Sequence, residues 1–112
     1  MRLMFLGKET QGGGSPSLYA TDRDTYLVQG WKVSGEPFDV VEIPGTLLRH
    51  FQPGTRLAAS LTATGRRWRG DSGDCDTYTL TGALVSDPAA LAQLAVPGHE
   101  TCVEVGRRRK DG

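Results

Sequence analysis

The run Asp24-Thr25-Tyr26-Leu27-Val28-Gln29-Gly30-Trp31-Lys32-Val33-Ser34 lines up with Asp76-Thr77-Tyr78-Thr79-Leu80-Thr81-Gly82-Ala83-Leu84-Val85-Ser86. Asp, Thr, Tyr, Gly, Val and Ser fall at matching places. In the same order, Val40-Val41-Glu42-Ile43 resembles Cys102-Val103-Glu104-Val105, and Arg2-Leu3 matches Arg56-Leu57. The self-similarity predicts two structural repeats, 1–54 and 55–106. Each half reads strand, loop, strand, connection, strand, which is too little to bury its own apolar face. Two copies about an approximate twofold axis would share one core, with Gly30 and Gly82 at equivalent crossings or bulges.

At 112 residues and 12.1 kDa the chain fits one domain, 1–112. Its 13 basic residues cancel 13 acidic ones, which argues against disorder and against a protein built mainly to hold nucleic acid. No apolar run reaches the length of a membrane span. The apolar start ends at Gly7-Lys8, too soon for a secretory signal, so a cytoplasmic protein is expected. Two free thiols, Cys75 and Cys102, follow from that compartment, with Cys102 a small apolar strand residue. Arginine outnumbers lysine ten to three, so any arginine cluster must be discounted for this bias.

The expected fold is α+β, mainly β, with about six short strands in a sandwich or partly open barrel and one or two short helices. Leu3–Leu6 reads as a strand buried on both faces, followed by a flexible loop over 7–17. Leu18–Ala20 gives a short strand, and Thr25–Val33 a central one with apolar groups on both faces. Phe38–Ile43 is the next strand, and Leu47, Leu48 and Phe51 mark one or two helical turns. Thr55–Ala63 alternates with Leu57, Ala59, Leu61 and Ala63 inward. Residues 65–76 read as a polar loop with a strand end at Trp68. Thr77–Val85 is a strand broken by Gly82. A helix opens at Pro88, capped by Ser86 or Asp87. Glu100–Val105 is the last strand, and 107–112 a frayed charged tail.

No catalytic motif is present, and no cofactor or metal is expected. Gly7-Lys8 and Gly12-Gly13-Gly14-Ser15 lack the order of a phosphate loop. Asp71, Asp74 and Asp76 lack the spacing of a calcium loop, and His50 and His99 are too isolated for a metal site. His50 is expected in solvent on the outer face of its helix. The leading reading is a non-catalytic binding or regulatory module that recognises a protein partner or a second copy of itself. Tyr26, Trp31 and Tyr78 are its candidate interface residues, since aromatics anchor such contacts; core packing is the competing role for each. The second reading is nucleic-acid binding through Arg66, Arg67, Trp68 and Arg69, joined by Arg107, Arg108, Arg109 and Lys110. Asp71, Asp74 and Asp76 would neutralise that loop. The third is a small enzyme with a Glu42/Glu104 carboxylate pair sharing a cleft.

The segment Ser15–Val33, with Ser15-Pro16-Ser17-Leu18-Tyr19-Ala20-Thr21-Asp22-Arg23-Asp24 leading into the strand above, resembles small uncharacterised proteins of streptomycetes and related actinobacteria. Pro97-Gly98-His99-Glu100-Thr101-Cys102-Val103-Glu104-Val105 is similar to their ending. The resemblance implies a cytoplasmic bacterial protein and brings no activity, cofactor or functional residue.

Overall fold

The computed structural model describes residues 1–9, 16–70, 73–94 and 96–110. Of these, 56% are in strands and 12% in helices, so the protein is mainly β. Nine antiparallel strands are present: β1 (Leu3–Lys8), β2 (Ser17–Thr21), β3 (Thr25–Lys32), β4 (Val40–Pro44), β5 (Thr55–Leu57), β6 (Thr62–Gly70), β7 (Gly73–Thr81), β8 (Ala83–Leu84) and β9 (Glu100–Arg109). A 3-10 helix spans Gly45–His50 and an α-helix, α1, spans Pro88–Gln93. Among the described residues no helix is long and apolar enough to cross a membrane.

The sheet runs β1-β2-β3-β4-β7-β6, with β9 pairing β3, β5 and β8. β3 is central because its alternation gives each face something to bury. Tyr26 and Val28 join the main cluster with Leu18, Val41, Ile43, Leu80, Val103 and Val105. Leu27 turns to the other face and packs with Leu94, Cys102, Leu3 and Tyr19. α1 supplies part of that second layer: Asp87 caps it by accepting from the Ala90 amide at 3.2 Å, and Ala90 is fully buried.

Two cross-pairings have the same form. On β3 and β9, Thr25 faces Gly106, Tyr26 faces Val105 and Val28 faces Val103. On β7 and β4, Thr77 faces Pro44, Tyr78 faces Ile43 and Leu80 faces Val41. The glycines that follow are both crowded, Gly30 the more so. A Cβ on Gly30 would strike the Glu42 carbonyl oxygen and meet Val41 Cγ2 at 2.6 Å. On Gly82 it would meet the Glu104 carbonyl oxygen at 2.8 Å and Val105 Cγ2 at 2.9 Å. Only a bare Cα lets the strands cross this closely. The Arg2-Leu3 and Arg56-Leu57 match has no counterpart in pairing, since β1 lies on β2 while β5 lies on β9.

Several expectations need correction. The described residues form nine strands rather than six. In the polar stretch expected as a loop over 65–76, residues 65–70 and 73–76 belong to the β6–β7 hairpin, where Arg67, Trp68 and Arg69 face Asp76, Cys75 and Asp74, while Asp71 and Ser72 lie outside the described residues. Charge and ring pairs across the hairpin replace the apolar alternation that would have announced it. Thr55–Ala63 is not one strand; pairing stops after Leu57 and resumes at Thr62, leaving Leu61 37% exposed. Residues 107–109 of the expected tail are not frayed, because β9 continues through Arg109 against β5; residues 111–112 lie outside the described residues. Finally, β1 is an edge strand and not a strand buried on both faces. Within the loop expected over 7–17, Gly7, Lys8 and Ser17 belong to strands, while residues 10–15, with their glycine run, lie outside the described residues.

Candidate functional site

Among the described residues the outermost strand, β1, hydrogen-bonds on one side only, to β2. Its sequence, Leu3-Met4-Phe5-Leu6-Gly7-Lys8, has no charge before Lys8 and no proline. Met4 is 58% exposed and Phe5 54%, one on each face, as happens when the neighbouring strand is missing. Phe5 meets the Tyr19 ring on β2, edge-on at 5.5 Å. The register slips between Phe5 and Gly7, and this bulge turns Leu6 against the main cluster. Beyond it Gly7 lies tight under the His50 ring, where a Cβ would not fit. The straight, open part of the edge is therefore Arg2–Phe5.

The other outermost strand, β6, is guarded. It carries Arg66, Arg67 and Arg69 and a register break between Ala63 and Arg67. Charged side chains and bulges are how sheets block unwanted strand addition. β1 has its bulge and the terminal Lys8, with no charge over Leu3–Gly7.

Beside β1 lies a groove of two connected hollows that share Gln52 and Arg107. One, of about 430 Å³, is lined by Arg2, Leu3, Met4, Ala20, Thr21 and Asp22. The other, of about 610 Å³, is lined by Asp24, Pro53, Gly54 and Thr55 with Arg107, Arg108 and Arg109. Met4 faces Ala20 in the β1–β2 ladder, so a strand added outside β1 would set the residue across from Met4 over this groove. Arg107 is held in place: it donates to Asp24 Oδ1 at 3.0 Å and to Gln52 Oε1 at 2.8 Å. Asp22 accepts from the Arg2 amide at 3.1 Å, which holds its carboxyl below the ordinary range. Among the described residues the side chains of Arg2, Arg108 and Arg109 make no ion pair.

Tyr26 is not available as an interface residue. It is fully buried, stacked on Phe51 at 5.2 Å, with its hydroxyl bonded to Thr55 and to the Gln52 amide at 2.9 Å. Trp31 and Tyr78 are half-buried, and Trp31 packs on Trp68 at 5.7 Å. The basic hairpin is paired internally, Arg67 with Asp76 at 3.1 Å and Arg69 with Asp74 at 3.2 Å. Lys110 donates its amide to the Gly54 carbonyl at 2.8 Å while its side chain stays exposed.

Glu42 and Glu104 occupy two clusters of identical composition. Arg66 grips Glu42 through two nitrogens, Thr77 donates to it at 2.7 Å, and the Thr77 hydroxyl meets that of Thr64. Arg23 grips Glu104 through two nitrogens, Thr25 donates to it at 2.6 Å, and the Thr25 hydroxyl meets that of Thr21. Burial pushes the Glu42 carboxyl up, but bonds from Arg66 and Thr77 and the guanidinium charge outweigh it and hold it below its ordinary value. A carboxylate so occupied is a clasp, and neither glutamate is bonded to the other. The residues missed were Arg23 and the outer threonines, while Arg66 was singled out for a nucleic-acid contact and instead holds Glu42. Their signal was present as two Thr-x-Arg triplets, Thr21-Asp22-Arg23 and Thr64-Gly65-Arg66.

His50 is not in solvent: its Nε2 lies 2.7 Å from the buried Glu9 carboxylate, which Arg49 also approaches at 3.3 Å. Burial pushes the Glu100 carboxyl up, although Gln29 donates to it at 2.8 Å. Cys75 and Cys102 are both free thiols, and burial raises Cys102 to about 12. Among the described residues no three His, Cys, Asp or Glu side chains gather where they could hold a metal ion. No family model, curated protein or solved structure matches this chain.

Proposed function

We propose that this protein is a non-catalytic recognition module that takes an extended segment of a protein partner as an extra strand on β1. The observation that carries the reading is the contrast between β1 and β6, the strands at either end of the strand order β1-β2-β3-β4-β7-β6. β6 is armoured with arginines, whereas β1 offers unpaired backbone flanked by exposed Met4 and Phe5. Strand addition supplies affinity through main-chain hydrogen bonds and selectivity through pockets for alternate side chains. The hollow beside Leu3, Met4 and Ala20 is such a pocket.

The internal repeat belongs to the same proposal. Its support is the matched clasps, the matched β3–β9 and β7–β4 registers, and the twin crossings at Gly30 and Gly82. Each clasp reaches from one half to the other, Glu42 to Arg66 and Glu104 to Arg23, as in an isologous interface. On this reading the shared residues hold the fold together. Function then resides in what only one half has, and β1 on its sheet edge is such a part.

The other two readings have less behind them. Nucleic acid would have to compete with Glu42, Asp76 and Asp74 for Arg66, Arg67 and Arg69. A carboxylate pair would need Glu42 and Glu104 released from their arginines.

The test is a titration of the labelled protein with a short Val/Thr-rich peptide, followed by amide NMR, which reads weak binding. Shifts concentrated on residues 2–6, lost in a Met4→Lys, Phe5→Lys double variant that keeps its fold, are the expected result. Shifts elsewhere, or shifts the double variant leaves intact, would overturn it.

A further inference from the structure

Resting on the strand-addition reading, we infer that the segment β1 takes is acidic: a short apolar stretch that runs past Arg2 into Asp or Glu, from a different protein. The argument is the placement of charge along the edge and groove. The open edge starts at exposed Arg2 and is apolar from Leu3 to Phe5, so it is basic at its Arg2 end. The groove it borders carries Arg2, Arg107, Arg108 and Arg109 against Asp22 and Asp24. Asp24 offsets Arg107, and Asp22, kept ionised by the Arg2 amide, stands against Arg2, Arg108 and Arg109, which make no ion pair among the described residues. The face offered to an incoming chain is therefore positive, although the molecule as a whole is neutral.

An antiparallel strand outside β1 puts its residue across from Arg2 within reach of that guanidinium, where opposite charges attract and like charges repel. Its side chains on the Met4 face lie over the hollow of Leu3, Met4 and Ala20, which takes an apolar group. Chain continuing past Arg2 runs toward the hollow ringed by Arg107, Arg108 and Arg109, which takes a carboxylate. Arginine forks match carboxylates in geometry as well as charge.

A second copy of this chain is a poor occupant. Antiparallel self-pairing centred on Phe5 sets Arg2 of one copy across from Lys8 of the other, at both ends. Centred on Met4, it sets Arg2 across from Leu6. Neither register brings a carboxylate to the edge, and Glu9, the nearest acid in the strand's own sequence, is buried against His50.

The experiment compares two peptides with the same Val/Thr centre, one bracketed by Asp and one by Lys, titrated into wild type and into an Arg2→Glu, Arg109→Glu double variant. Both arginines are exposed on the surface, so the variant is expected to fold, and its far-ultraviolet circular dichroism checks this. Wild type should take the Asp-bracketed peptide at least about tenfold more tightly, with the advantage shrinking as salt rises. The double variant should reverse the order. Equal binding of both peptides by wild type, or an order unmoved by the variant, would overturn the acidic partner and leave strand addition standing. Binding of neither peptide would remove both.

Discussion

Glu42 shows how one side chain ties sequence to stability. It is 8% exposed, so its charge survives only because Arg66 and Thr77 bond to it. Replacing it with Gln keeps the shape and removes the charge-assisted bonds, a loss of about 1–3 kcal/mol at neutral pH by chemical denaturation. Because the folded carboxyl titrates below its ordinary value, its contribution is present above the unfolded-state pKa and disappears as pH falls through the folded one. The gap between wild type and Glu42→Gln should therefore close in acid. Glu100 has the opposite sign. Burial raises its carboxyl, so it favours the fold while protonated and loses that contribution as pH rises through its folded value. Glu100→Gln should accordingly gain stability over wild type as pH rises to neutrality. The thiols divide by burial: Cys75 should react with a thiol reagent in the native protein, while Cys102, held as a thiol up to about pH 12, should react only on unfolding. Mass mapping of the labelled cysteine checks this.

At the level of elements, the crossings at Gly30 and Gly82 are where the sheet is least forgiving. Ala at either site drives a methyl into a carbonyl oxygen of the crossing strand. Each substitution should cost about 1–3 kcal/mol, and by similar amounts if the halves are equivalent. A tolerant Gly82 beside an intolerant Gly30, by thermal unfolding, would count against the repeat. These glycines were legible in the sequence because both interrupt a strand pattern at the same offset. So were β2, β3, β4, α1 and β9, whose periodicity or capping residues carry the information locally. The β6–β7 hairpin was not legible, since its ladder is made of Arg67–Asp76, Trp68–Cys75 and Arg69–Asp74 pairs that mimic a polar loop when read along the chain. β1 was recognised as a strand but misplaced. An apolar run of four looks the same at a sheet's centre and at its edge, and only pairing decides which. The tail failed for a related reason: arginines that look solvated hold a strand when β5 lies beside them.

For the whole molecule, the open question is what covers Met4 and Phe5. The candidate site was only partly readable in advance. Aromatic content drew attention to Tyr26, which the core absorbed, while the exposed edge and its basic groove depend on β1, β2, β9 and residue Gln52 meeting across the chain. Charge placement predicts a monomer in sedimentation at moderate concentration. A stable dimer that Phe5→Lys dissolves would instead make a second copy the occupant. The most direct measurement is amide hydrogen exchange across the protein with and without an excess of the Asp-bracketed peptide. New protection should appear at alternate amides within residues 2–6, with the arginine-guarded β6 unchanged. Protection confined to β6, or none along β1 while the peptide is demonstrably bound, would contradict the account.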